Sequence, residues 1–268
     1  MQVTGCSCLQ SGVAAKCPLL APQCNSPTAP NEVVPISPFN GGQLLWGQGC
    51  IDANVPCNAC YIWFGSLCRC LKNSADCTLA QPNVVGDPIW ALLSNKAAHG
   101  LITTSQKLPG ILQLKQAPEP NRGWQLGQSV LRNPPTTPAQ YTRKTGALAM
   151  NSVSTRTEEQ IHIHVCNNPT SVIRTILSRL PRAGYTQSTL VPLPLGFPAG
   201  SELRCQISPQ PGMDINVANA ILKYLGPLHS YGCEQFRVGA GLIIDNYDYT
   251  WACVTTGTRG AEDLFCRL

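Results

Sequence analysis

Polar and apolar residues alternate along Gln160-Ile161-His162-Ile163-His164-Val165. A strand sends successive side chains to opposite faces. Ile161, Ile163 and Val165 can therefore pack into a core while Gln160, His162 and His164 share the other face. Similar patterns predict strands at 99–104 and 147–150, and an antiparallel pair, 235–244 and 250–255, joined around Asp245-Asn246-Tyr247-Asp248. Elsewhere the spacing is helical. Residues 89–98 read as a short helix, with Pro88 suited to its first turn and Ile89, Trp90, Leu92 and Leu93 as its apolar side; a strand is the alternative. A helix over 123–131 is stopped by Asn133-Pro134-Pro135, and another is expected after Thr137. Pro169-Thr170-Ser171 opens a helix with the stripe Val172, Ile173, Ile176, Leu177 and Leu180, and with Arg174, Arg179 and Arg182 on or near its polar side. Residues 185–212 read as a long loop with short strands, and 217–225 as a helix ended by Gly226-Pro227. From about residue 84 onward the texture is α+β.

Length and charge narrow the function classes. A chain of 268 residues can bury a substantial core, in one domain or one domain plus an extension. Charged residues make up 12% and the net charge is +5, too little and too scattered for a nucleic-acid surface. No apolar run approaches the roughly 18 residues that a membrane helix needs.

Fifteen cysteines point to disulfides formed in an oxidising compartment, so a secreted protein is expected. Met1 precedes a polar Gln-Val-Thr-Gly, which reads as a mature domain, its signal peptide removed, begun at a new start codon. Ten cysteines fall within residues 6–77, and residues 1–44 form a Cys/Pro-rich extension ahead of a domain over 45–268. Cys57-x-x-Cys60 with Cys68-x-Cys70 admits a zinc reading, but the total count favours disulfides.

Two of the four histidines stand side by side on one strand face. Three readings stay open from the residues alone. The imidazoles could form half of a metal site, lacking a matching third ligand among His99, His229, Glu158 and Asp214. They could line a structural polar face. They could perform phosphate chemistry, with Asn151, Ser152, Arg156 and Thr157 nearby in sequence as donors to phosphoryl oxygens.

The segments Ala149-Met150-Asn151-Ser152 and Thr155-Arg156-Thr157-Glu158-Glu159-Gln160-Ile161-His162-Ile163-His164-Val165-Cys166 resemble the active-site signature of the CDP-diacylglycerol pyrophosphatase family, within the histidine-triad (HIT-like) superfamily. Leu45-Trp46 with Cys50 and Pro56-Cys57, the run from His99 to Ile111 with Lys107, the stretch 226–238 and Cys266 match in the same order, over about residues 45–268. The resemblance implies a HIT-like antiparallel sheet with flanking helices. It implies a hydrolase of a diphosphate bond, in CDP-diacylglycerol or a related nucleotide, needing no metal or other cofactor. His162 would be the nucleophile and His164 would protonate the leaving group or bind a non-bridging oxygen. Lys107, Asn151, Ser152, Arg156, Thr157 and Gln160 would orient the phosphates. The expected partner is a small-molecule or lipid-nucleotide substrate, and a homodimer is in keeping with the superfamily. Two disulfides are expected, Cys50–Cys57 and Cys166–Cys266.

The chain departs from that pattern in places. Glu158 stands where the family has an uncharged amide, and Leu264 follows Asp263 where a histidine is usual. Two alternatives follow. One is a repurposed HIT-like enzyme of secondary metabolism, using His162 and His164 as general acid and base on an uncharged molecule. The other is a secreted binding protein without catalysis.

Overall fold

The computed structural model describes residues 77–81, 90–93, 99–104, 108, 110–117, 119–133, 141–152, 155, 161–185, 189–194, 202–228, 235 and 237–268. The expected extension, the Cys50–Cys57 pair, the zinc-like spacings and most of the helix expected after Thr137 lie outside them.

The strands are β1 (Cys77–Leu79), β2 (Trp90–Leu93), β3 (His99–Thr104), β4 (Gly146–Met150), β5 (His162–Asn167), β6 (Val191–Pro192), β7 (Leu203–Ile207), β8 (Gly239–Ile244) and β9 (Thr250–Thr255). Among the described residues they form one sheet in the order β1-β2-β3-β5-β4-β8-β9-β7-β6, with every pairing antiparallel. Among the described residues three α-helices accompany it: α1 (Arg122–Arg132), α2 (Val172–Arg179) and α3 (Val217–Leu228). The α+β class is therefore what the chain adopts.

The central strands β4, β5, β8 and β9 divide their side chains between two cores. Ile102, Leu148, Met150, Ile163, Val165, Leu242 and Val254 meet Trp124 and Leu131 of α1 and Ile221 and Leu225 of α3 on one face. Ala147, Ala149, Cys166, Ile243, Trp251 and Cys253 meet Ile173 and Leu177 of α2 and Leu264 and Phe265 on the other. Burying each large aliphatic side chain contributes about 1.5–3 kcal/mol, so the two-sided sheet is held from both layers. Cys205 and Cys253 are direct partners across β7 and β9 and form a disulfide.

Four local outcomes differ from expectation or sharpen it. Residues 90–93 form a strand rather than part of a helix. Trp90 and Leu92 enter the first core while Ala91 and Leu93 enter a smaller cluster with Cys77 and Leu79, so all four are buried by facing both ways. A helical stripe would bury one side only. The helix over 217–225 runs on to Leu228, with Gly226 and Pro227 in its last turn. Ser171 caps α2 by accepting a hydrogen bond from the Arg174 amide.

Arg174 is the fourth and the largest correction. It is 4% exposed rather than solvated. Its guanidinium donates to the carbonyls of Ile244 (3.0 Å), Asn168 (2.6 Å) and Gly146 (2.8 Å), joining the ends of β4, β5 and β8. Burial pulls its pKa down to about 10.

Candidate functional site

The histidine strand β5 lies between β3 and β4, and its register places each imidazole. His162 is opposite Thr103, and His164 has Leu101 on one side and Ala149 on the other. Directly opposed residues share a sheet face. Ile163 and Val165 are in the first core while Cys166 is in the second, so the expected division of the strand holds. On the histidine face the neighbouring strands offer small residues, Ala147 and Ala149 of β4 and Gly241 of β8.

The C-terminal helical turn Asp263–Arg267 uses that space. Gly241 lies under Phe265, and a Cβ there would fall 2.2 Å from the aromatic ring. Cys266 is joined to Cys166, one of the two disulfides expected from the sequence. Asn168 donates through its amide to the carbonyls of Phe265 (3.2 Å) and Leu268 (2.9 Å). Sheet contact, disulfide and amide thus fix the turn against β5 from three directions.

The two imidazoles meet. His162 Nε2 and His164 Nε2 are 3.1 Å apart, with ring centroids 4.7 Å apart and planes inclined at 72°. His162 is 6% exposed and His164 is partly exposed. The fixed turn adds a group that sequence reasoning passed over. Glu262 Oε2 stands 3.5 Å from His164 Nε2. Its other oxygen, Oε1, accepts from Arg267 Nη2 at 2.7 Å. Asn151, just past the end of β4, holds Glu262 twice: its Oδ1 accepts from the Glu262 amide (2.9 Å), and its Nδ2 donates to Oε2 (3.4 Å).

Of the residues expected at the site, the structure brings together His162, His164 and Asn151. Ser152 is buried beside Asn151, with its Oγ 2.9 Å from Thr155 Oγ1. Lys107, Arg156, Thr157 and Gln160 lie outside the described residues, as does Glu158. Asn151 was expected to orient phosphate; here both ends of its amide engage Glu262.

A signal for Glu262 was present in the sequence. If Cys166 is bonded to Cys266, a helical turn leading into Cys266 carries residue 262 one turn back, toward the residue two places before Cys166. That residue is His164.

Among the described residues no group of three or more His, Cys, Asp or Glu side chains is arranged to hold a metal ion. Chemically, the cluster can hold one proton between two rings, pass it to a bound molecule and recover it. An open cleft of about 560 Å³ lies elsewhere, where β1 meets α1 near Gln81, Gln125 and Asp214. No helix among the described residues is long and apolar enough to cross a membrane. The chain matches no family model and no curated protein.

Proposed function

We propose that the chain is a secreted hydrolase of the HIT-like type that cleaves a diphosphate bond, in CDP-diacylglycerol or a related nucleotide, with His162 as nucleophile. The observation that carries this reading is the pair of Nε2 atoms 3.1 Å apart on one strand face. A neutral His162 attacks the phosphorus that bears the nucleoside. An N–P bond forms, and the bond from that phosphorus to the bridging oxygen breaks. His164 gives its proton to the departing oxygen. Water then attacks the phosphohistidine, releases the nucleoside monophosphate and returns the proton to His164.

The antiparallel sheet with helices on its faces, the alternation of β5 and the Cys166–Cys266 disulfide all support the family resemblance. The disulfides Cys166–Cys266 and Cys205–Cys253 support an oxidising compartment. The substrate's phosphates need cationic and neutral donors, for which the resemblance supplies Lys107, Arg156, Thr157, Gln160 and Ser152.

The test is release of nucleoside monophosphate from CDP-diacylglycerol in mixed micelles and from a soluble dinucleoside diphosphate. The reading expects activity that survives chelator and is lost in His162→Ala. Activity removed by chelator and restored by metal would make the pair a metal site.

One observation favours a second reading. Glu262 presents a carboxylate to the histidine pair, a neighbour that repels an anionic diphosphate. On that reading His162 and His164 act as acid and base on an uncharged molecule. Saturable binding of an apolar ligand, with no diphosphate cleavage across a broad screen, would select it.

A further inference from the structure

We infer that Glu262 is a positioning residue: it fixes which ring nitrogens of the histidine pair carry hydrogen, leaving the Nε2 lone pair of His162 as the acceptor. The inference deepens the hydrolase reading, because a nucleophile needs an Nε2 without hydrogen, whose lone pair is released to phosphorus when the His164 N–H turns to the leaving oxygen. The tautomers themselves follow from the charge and the polar contacts around the pair, not from the reaction.

Asn151 fixes the roles of the atoms around Glu262. The Glu262 amide is a donor and needs an acceptor, so the Asn151 atom 2.9 Å away is Oδ1. Its Nδ2 is then the atom facing Glu262 Oε2. Arg267 can only donate, so Oε1 accepts. Both carboxylate oxygens therefore act as acceptors, the role a carboxylate plays. Its Oε2 faces His164 Nε2 at 3.5 Å. A lone pair on that nitrogen would face a negative oxygen, whereas an N–H is attracted to it.

His164 Nε2 therefore carries hydrogen. His162 Nε2 lies 3.1 Å from that nitrogen and must then accept. The hydrogen of a neutral His162 is left on Nδ1. Reversing the pair would place the bare nitrogen of His164 between an N–H and a carboxylate oxygen, with the oxygen contact repulsive.

The charged and titratable groups facing His164 can be named from each described element around it. His162 shares its strand, while β3 and β4 present Leu101 and Ala149. The C-terminal turn contributes Glu262, backed by Arg267, which also pairs with Asp263. Glu262 is the one carboxylate among them directed at the pair, and it stabilises the doubly protonated form of His164 as well.

The test is nitrogen NMR on the full chain with histidine labelled in its ring, assigned by His99→Gln and His229→Gln variants. In the wild-type chain at slightly alkaline pH, His162 should show hydrogen on Nδ1 and a bare Nε2. Glu262→Gln replaces one acceptor with a donor while keeping the shape, and Glu262→Ala removes both acceptors. Each should shift His162 to a mixture in which Nε2 is also protonated and should lower the midpoint of the His164 titration. Glu262→Asp should restore part of both. A wild-type His162 with hydrogen on Nε2, or signals unmoved by both Glu262→Gln and Glu262→Ala, would overturn the inference. The measurement uses no substrate, so a chain inert toward diphosphates would end the hydrolase reading and leave this result standing.

Discussion

Arg174 brings a full charge into the second core, and its stability depends on three carbonyl acceptors. Removing the guanidinium leaves those oxygens buried and unpaired, each at a cost of about 1–3 kcal/mol. Arg174→Met should therefore lower stability by about 3–5 kcal/mol in urea unfolding. Arg174→Lys should recover little, because a point ammonium cannot reach three acceptors in a fixed fork. Helical spacing alone left Arg174 on the polar side of α2. The carbonyls that satisfy it come from the ends of three strands, and no local pattern announces that. The histidines were legible for the opposite reason: a strand's period of two places both rings on one face from local sequence alone. Glu262 stands 111 residues from Asn151, which holds it, and could be found only through the disulfide beside it.

The C-terminal turn is the element on which the site's geometry hangs. In the chain-entropy picture, the Cys166–Cys266 link closes 100 residues and contributes about 4.7 kcal/mol, and Cys205–Cys253 closes 48 and contributes about 4. Stability alone would hardly distinguish them. Activity should. Cys166→Ala with Cys266→Ala frees the turn that carries Glu262, so it should lose turnover even at temperatures where the chain stays folded. Cys205→Ala with Cys253→Ala should lower the unfolding midpoint by a similar amount and keep the turnover of the remaining folded protein. Equal turnover in the two pairs, measured well below both midpoints, would detach the turn from function. Element type was readable where one period dominated, as in α1, α2, β5 and the β8–β9 pair. It misled at 89–98, where five apolar residues in a row fit either a helix side or a strand buried on both faces.

At the scale of the whole molecule, burial couples the fold to alkaline pH. Desolvation raises the phenol of Tyr141 above its ordinary value of 10.0. The folded chain then holds that proton when the unfolded chain has lost it. The contribution to stability is complete below pH 10 and falls as pH rises through the higher folded value. Arg174 works in the other direction, since its folded pKa of about 10 lies below the unfolded one and relieves part of its burial cost above that pH. Tyr141→Phe should accordingly flatten the alkaline loss in urea midpoints compared from pH 9 to pH 11. The α+β class was visible in the chain because both periods recur along it. The strand order was not, because β5 between β3 and β4, or β8 beside β4, depends on pairings between distant segments whose faces match only after the sheet is assembled. The nucleophile proposed on β5 can be trapped. CDP-diacylglycerol labelled in its cytidine should be mixed with the chain in chelator, the reaction stopped in alkali, and the peptide carrying residues 161–165 examined by mass. The account predicts a cytidylyl group on His162, lost on acid treatment and absent in His162→Ala. Turnover with no label on His162, or no reaction with any diphosphate, would contradict it.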